Sequence, residues 1–222
     1  MTTAGKNRNQ HLLLLLPLAG ILLFIILFIV AICLYPGSSP YDEHAKGYSL
    51  RHNYLCNLLS ETALGVTNPS RPVAIAALVC IVTALSLFWY FVPRFFERKS
   101  KYQQVIQSAG IFSMISNVFL FTSWHDMAIN ISGIPCLIAL ILTFRKLYYE
   151  RQVIIFQWGL VALATILLMM FVYYTNVWIQ FLPVIQKLAL LTAISWFVLV
   201  IISLYRRAQG RMAQQAPVSK EE

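Results

Sequence analysis

Six long apolar runs, separated by polar connectors, account for most of this chain. The runs are Leu12–Leu34, Val73–Val92, Gln104–Ser123, Met127–Phe144, Val153–Tyr174 and Leu182–Leu204. A helix of about 20 apolar residues crosses the hydrocarbon core of a bilayer. Lys187 is the one charged residue within the six runs. The pattern predicts an all-α polytopic membrane protein: a bundle of six transmembrane helices over residues 12–204, with tails at 1–11 and 205–222.

The connector between the first two runs is the longest, and its middle part has a different pattern. At 100° per residue, Asn53, Asn57 and Ser60 fall on one line of a helix, and leucines fall opposite. We therefore expect an amphipathic capping helix over residues 50–64, with Gly65 in the left-handed conformation after it. As the only long connector on its side, this segment is expected to fold over the mouth of the bundle.

Charge gives the orientation. The chain is 59% hydrophobic and only 11% charged, which leaves no room for a soluble domain beside the spans. Thirteen lysines and arginines lie in the N-terminal segment, the second and fourth connectors and the tail, and four lie on the other side. The positive-inside rule therefore predicts a plasma (inner) membrane protein with both termini in the cytoplasm. The net charge of +9 follows from this bias, so we expect no nucleic-acid partner.

Polar and ionisable residues gather toward the extracytoplasmic end of the predicted bundle. Polar groups within a membrane usually face the bundle interior or water. We therefore expect a pocket under the first loop, and a binding protein for a small polar molecule or lipid headgroup. The candidate ligand-binding residues are Asn53, Asn57, Ser60, Glu61, Asn117, His125, Asp126, Asn130 and Lys187.

A more specific hypothesis concerns Glu61. An unpaired carboxylate close to hydrocarbon is costly, and few partners exist at this end of the bundle. We expect Glu61, His125 and Asp126 to come together, with Lys187 as a further candidate, and Glu61 to act as a general base or ligand anchor. The alternative places Glu61 in bulk water beside Arg71.

A different class of function uses the same end of the chain. A metal-dependent hydrolase acting on a lipid or amide at the outer leaflet needs three or four protein ligands and an open position. His52, Cys56, His125 and Asp126 are the candidate metal ligands, and Glu61, His125 and Asp126 the candidate catalytic residues. No compact ligand motif joins them, so no cofactor is predicted, and a metal ion stays an alternative.

Several short motifs in the same region resemble those of a known family. They are Tyr35-Pro36, then Asn57-Leu58-Leu59-Ser60-Glu61 with Ala63-Leu64-Gly65, and then Asn68-Pro69. Together with a His that opens the fourth span, they are similar to a bacterial six-helix integral membrane family catalogued as a domain of unknown function. This chain is two residues longer than that pattern between Ser60 and Gly65. The resemblance implies a six-helix fold and brings no known activity.

Overall fold

The computed structural model describes residues 13–95 and 101–215, with the side chains of 94, 95, 120, 121, 125, 126 and 211–215 excepted. Most of this part is helical. The α-helices are α1 Leu16–Leu34, α2 Ser70–Phe91, α3 Lys101–Ser116, α4 His125–Tyr149, α5 Val153–Thr175 and α6 Leu182–Gln215. Short 3₁₀ helices flank them at Leu13–Leu15, Val92–Phe95, Asn117–Phe121 and Ile179–Phe181. The predicted tail at 1–11 lies outside the described residues, whereas α6 continues into the tail predicted from residue 205.

Five helical segments of the described chain are long and apolar enough to cross a membrane. They are Leu13–Leu34, Ser70–Phe91, Met127–Tyr149, Val153–Thr175 and Ile179–Gly210. The third expected span differs from the other five, because α3 has 16 residues and continues as the 3₁₀ helix Asn117–Phe121. The Asn117 amide donates to the carbonyl of Ser113 at 3.0 Å, and such a bond competes with the α-helical ladder.

The helices pack mainly against their neighbours in the sequence. α1 packs on α2, α3 on α4, and α5 on α6, while α2 also contacts α3. The connectors between α3 and α4 and between α5 and α6 are short, which makes each pair antiparallel partners, the usual arrangement in a helical bundle. The all-α, polytopic architecture expected from the apolar runs is therefore present in the described chain.

An aromatic cluster joins α2, α4 and α6. Phe88 and Phe197 lie 4.7 Å apart between ring centroids, and Phe144 lies 5.4 Å from Trp196. The indole N–H of Trp196 donates to the carbonyl of Ile155 at 3.0 Å, so its polar atom is satisfied inside the bundle. In bilayers, such packing rather than water exclusion holds helices together.

The connector between α1 and α2 forms a small folded unit, here called the head (residues 35–69). In it, β1 Gly37–Ser39 pairs antiparallel with β2 Asp42–Lys46. A 3₁₀ helix, Leu55–Leu59, follows, and then the hairpin of β3 Thr62–Ala63 and β4 Val66–Thr67. Leu58 is buried against Tyr35 and Ala31, which anchors the head on the end of α1.

The prediction of one amphipathic α-helix over residues 50–64 is wrong. Two asparagines account for the difference, because Asn53 Oδ1 accepts from the N–H of Ser49 and Asn57 Oδ1 accepts from the N–H of Tyr54. Side-chain bonds to nearby backbone offer an alternative to the helical ladder. Gly65 has the expected left-handed conformation, with φ of 72°, but it serves the hairpin turn rather than a helix end.

Gly110 tests the close packing of α3 on α2. A Cβ at this position would lie 2.3 Å from the Trp89 indole, and Trp89 is fully buried. We expect Gly110→Ala to destabilise the protein by about 1–3 kcal/mol through overpacking, measured by thermal unfolding in detergent. Gly133→Ala is the matched control, because nothing lies within 4 Å of its Cβ position. A Gly110→Ala protein as stable as Gly133→Ala would contradict this packing.

Candidate functional site

The head is held at the start of α2 by a set of side chains that satisfy the carbonyls of the 3₁₀ helix. The buried Asn68 amide donates to the carbonyl oxygen of Ser60 at 2.9 Å and lies 3.3 Å from that of Leu58. The Ser70 hydroxyl lies 3.1 Å from the Leu58 oxygen, and Arg71 Nε donates to Leu59 at 3.1 Å. Carbonyls that a short helix leaves unpaired thereby find partners away from water.

A second attachment joins the head to the first turns of α6. The N–H of Leu55 donates to Gln186 Oε1 at 2.9 Å. Lys187 Nζ donates to the carbonyl oxygens of Asn53 at 2.6 Å and Pro183 at 2.8 Å, and lies 5.4 Å from the centre of the Tyr48 ring. Two carbonyls and an aromatic face thus compensate a charge placed at the edge of the membrane.

Asn53 connects the two attachments. Its side chain is fully buried, donates to the carbonyl of Ser38 at 2.6 Å and accepts from the N–H of Ser49 at 2.8 Å. The Tyr48 hydroxyl donates toward the carbonyl of Tyr54 at 3.2 Å. Burial, and after it the neighbouring Cys56 thiol, raises the pKa of Tyr48, so the phenol stays a neutral donor.

Between the two hairpins of the head lies an open cleft of about 550 Å³. β1 and β2 form one side, and the 3₁₀ helix with the β3–β4 hairpin forms the other. Polar residues predominate in its lining: Ser38, Ser39, Glu43, His44, Asn57, Ser60 and Thr62. We call this space the head cleft.

The polar side chains of the head cleft fall into two groups. Ser39 Oγ and Asn57 Oδ1 accept hydrogen bonds from backbone N–H groups, so they shape the cleft. Within the described part of the chain, the side chains of Ser38, Glu43, His44, Ser60 and Thr62 have no hydrogen-bond or ion-pair partner. A carboxylate, an imidazole and three hydroxyls are thus available to a molecule in the cleft.

The predicted ligand-binding residues of the head have separate roles. Asn57 and Ser60 lie in the lining of the head cleft. Asn53 and Lys187 instead hold the head together and onto α6 through the contacts given above. The polar groups of these two side chains bond to the protein itself, so they support the cleft and are not free to bind a ligand.

Glu61 lies at the surface, with 80% of its side chain exposed, and pairs with Arg71 at 3.2 Å. Lys187, the further candidate for this cluster, does not pair with Glu61 among the described side chains, because Arg71 holds the carboxylate and backbone carbonyls hold the ammonium. The alternative of Glu61 in water beside Arg71 is the arrangement present. The side chains of His125 and Asp126 lie outside those described, so their predicted approach to Glu61 stays a prediction.

Asn117 and Asn130 take part in contacts between helices. The Ser132 hydroxyl donates to Asn117 Oδ1 at 3.3 Å, which joins the start of the 3₁₀ helix after α3 to α4. The Tyr174 hydroxyl donates to Asn130 Oδ1 at 3.0 Å, which joins α5 to α4. Neither residue lines the head cleft, so their predicted role in ligand binding gains no support from its geometry.

The predicted metal ligands His52 and Cys56 make separate contacts in the head. His52 packs its ring 5.5 Å from that of Tyr41, and Cys56 carries a half-buried thiol near Tyr48. Among the side chains described in residues 13–95 and 101–215, no group of three or more His, Cys, Asp or Glu is placed to hold a metal ion. A site that includes His125 and Asp126 stays untested.

Several residues of the site were not among the sequence candidates. Ser38, Glu43, His44 and Thr62 line the head cleft, and a pattern read as one helix gave no sign of two hairpins. Asn68 had a usable signal, because Asn before Pro and Ser favours a turn in which the amide bonds local backbone. Gln186 and Lys187 lie far along the chain, and no local pattern indicates which loop they contact.

Comparisons of this chain with protein-family models, with curated proteins and with solved structures found no match.

Asn68 tests the attachment of the head to α2. We expect Asn68→Ala to destabilise the protein by about 1–3 kcal/mol, because the Ser60 carbonyl loses its donor and the buried Ser70 N–H loses its acceptor. Glu61→Gln is the comparison, since an exposed ion pair contributes little. Thermal unfolding of both variants measures the difference. Equal melting temperatures for the two would show that Asn68 does not hold the head.

Proposed function

We propose that this is a multi-pass membrane protein that binds a small polar molecule or a lipid headgroup in the head cleft. The observation that carries the proposal is the set of side chains in that cleft without partners in the described chain. Five residues whose polar side chains have no partner in the described chain line one space of about 550 Å³, while other polar groups of the head are bonded to backbone. Concave sites with a few converging polar groups are where small molecules bind.

The chemistry of the lining favours a ligand that carries a positive charge. Glu43 supplies a carboxylate, and His44 and the hydroxyls supply donors and acceptors for neighbouring polar groups. Lysine and arginine are not among the residues that line the cleft. An ammonium group next to hydroxyl or phosphate oxygens, as in an ethanolamine headgroup, matches this set.

We also propose that the chain crosses the membrane six times. α3 and the 3₁₀ helix after it together reach about 34 Å at ~1.5 Å and ~2.0 Å per residue, against a hydrocarbon core of about 30 Å. With both termini in the cytoplasm of a plasma membrane, as the basic residues favour, the head and its cleft lie on the extracytoplasmic side. A C-terminal reporter active only in the cytoplasm would be silent if this orientation is inverted.

Ligand binding can be tested with a defined set of probes. Phosphoethanolamine, phosphocholine and glycerol phosphate are added to the purified protein, and binding is followed by saturation-transfer NMR. We expect phosphoethanolamine to bind best, and His44→Ala to weaken it by about fivefold, the effect of losing one hydrogen bond of ~1 kcal/mol. His52→Ala is the matched control, because His52 belongs to the head but does not line the cleft.

Two results would contradict the proposal. One is the absence of binding by all three probes, and the other is an equal loss of binding in His44→Ala and His52→Ala. Stoichiometric zinc in the purified protein, lost together with His125, would favour the metal-dependent hydrolase instead.

A further inference from the structure

A second groove lies at the opposite end of the bundle, where α4 turns into α5. It encloses about 690 Å³. Leu147, Val153, Phe156 and Leu160 supply apolar surface, and Arg151 and Gln157 supply polar groups. The turn joins two helices that are long and apolar enough to cross a membrane. A groove at the end of such a pair would begin at the membrane surface and extend into the bilayer.

Most of the charges around this groove are already paired. Glu150 forms an ion pair with Arg207 at 2.8 Å. Arg145 lies over the rings of Tyr102 and Tyr149, at 5.6 and 5.8 Å from their centres. Within the described part of the chain, the guanidinium of Arg151 has no partner, although it lines the groove. Arg151 therefore gives the groove a positive charge without an ion-pair partner in the described chain. Glu150, the acid next to it in sequence, is neutralised by Arg207.

Gln157 adds a second polar group at a defined depth. Val153, Phe156, Gln157 and Leu160 follow the i, i+3, i+4, i+7 spacing of one helix face. Gln157 lies about 6 Å below Val153 at 1.5 Å per residue. Its exposed amide has no side-chain partner in the described chain, and an amide without one is costly at the edge of hydrocarbon.

We propose that this groove binds one anionic phospholipid of the bilayer. The Arg151 guanidinium takes the phosphate, because its planar fork matches phosphate oxygens. The Gln157 amide bonds the glycerol or ester oxygens just below, and one acyl chain lies along Val153, Phe156 and Leu160. Basic pockets between transmembrane helices bind anionic headgroups in this manner. The site is separate from the head cleft and independent of its ligand.

The test measures lipid bound to the purified full-length protein by native mass spectrometry. The protein is incubated with dioleoyl phosphatidylglycerol or dioleoyl phosphatidylcholine at the same concentration. We expect phosphatidylglycerol to be preferred, and Arg151→Gln to lower its binding about fivefold, the contribution of one basic side chain near an anionic headgroup. Arg206→Gln is the matched control, since Arg206 is an exposed arginine of α6 outside the groove. Its phosphatidylglycerol binding should stay within about twofold of the wild type, because salt screens an exposed charge that lies outside the groove.

A second variant keeps the test decisive if Arg151→Gln does not fold. Gln157→Leu keeps the apolar surface of the groove and is expected to lower phosphatidylglycerol binding while the protein elutes like the wild type. Equal binding of the two lipids would overturn the proposal. So would an equal loss in Arg151→Gln and Arg206→Gln, which would show a general surface attraction, or unchanged binding in Gln157→Leu.

Discussion

The hydrogen bond from Lys187 to the carbonyl of Asn53 is the contact on which the rest of the head depends. It is 2.6 Å long and joins residues 134 positions apart. A lysine at the edge of the membrane must find acceptors, because an unpaired ammonium there is costly. A buried carbonyl must likewise find a donor. The Lys187 ammonium supplies the donor and the Asn53 carbonyl supplies the acceptor. Their hydrogen bond fixes where the head lies on the bundle.

The position of the head determines the shape of the cleft. Lys187 and Gln186 hold residues 53 and 55 on α6, while Asn68, Ser70 and Arg71 hold the 3₁₀ helix on α2. Both attachments act on the backbone of the head. The side chains of Ser38, Glu43, His44, Ser60 and Thr62, which line the cleft, take no part in these attachments. One set of residues in the head thus supports it through buried polar contacts. A different set, whose polar side chains have no partner in the described part of the chain, is left to recognise a ligand.

The membrane helices were predictable from the sequence, and the head was not. An apolar run of about 20 residues must form a helix in a bilayer, because only a helix pairs all the backbone N–H and C=O groups of such a single segment there. The interruption of the third run at Asn117 has a local cause, an amide that bonds the carbonyl of Ser113. In the head, the same polar pattern fits a helix face or a set of turn-forming asparagines. Asn53 and Asn57 stabilise turns by accepting hydrogen bonds from the backbone N–H groups of Ser49 and Tyr54. The periodicity of the sequence carries no information on such bonds.

Amide hydrogen exchange of the head in Lys187→Met is the most direct measurement of this account. The backbone amides of residues 53–59 should exchange about tenfold faster or more than in the wild type, since a charge-assisted bond of ~1.5–3 kcal/mol is lost. Amides of α5 should be unchanged. Lys46→Met, which removes an exposed lysine of the head, should leave residues 53–59 at the wild-type rate. Unchanged exchange in Lys187→Met, or equal acceleration in both variants, would contradict the claim that Lys187 holds the head.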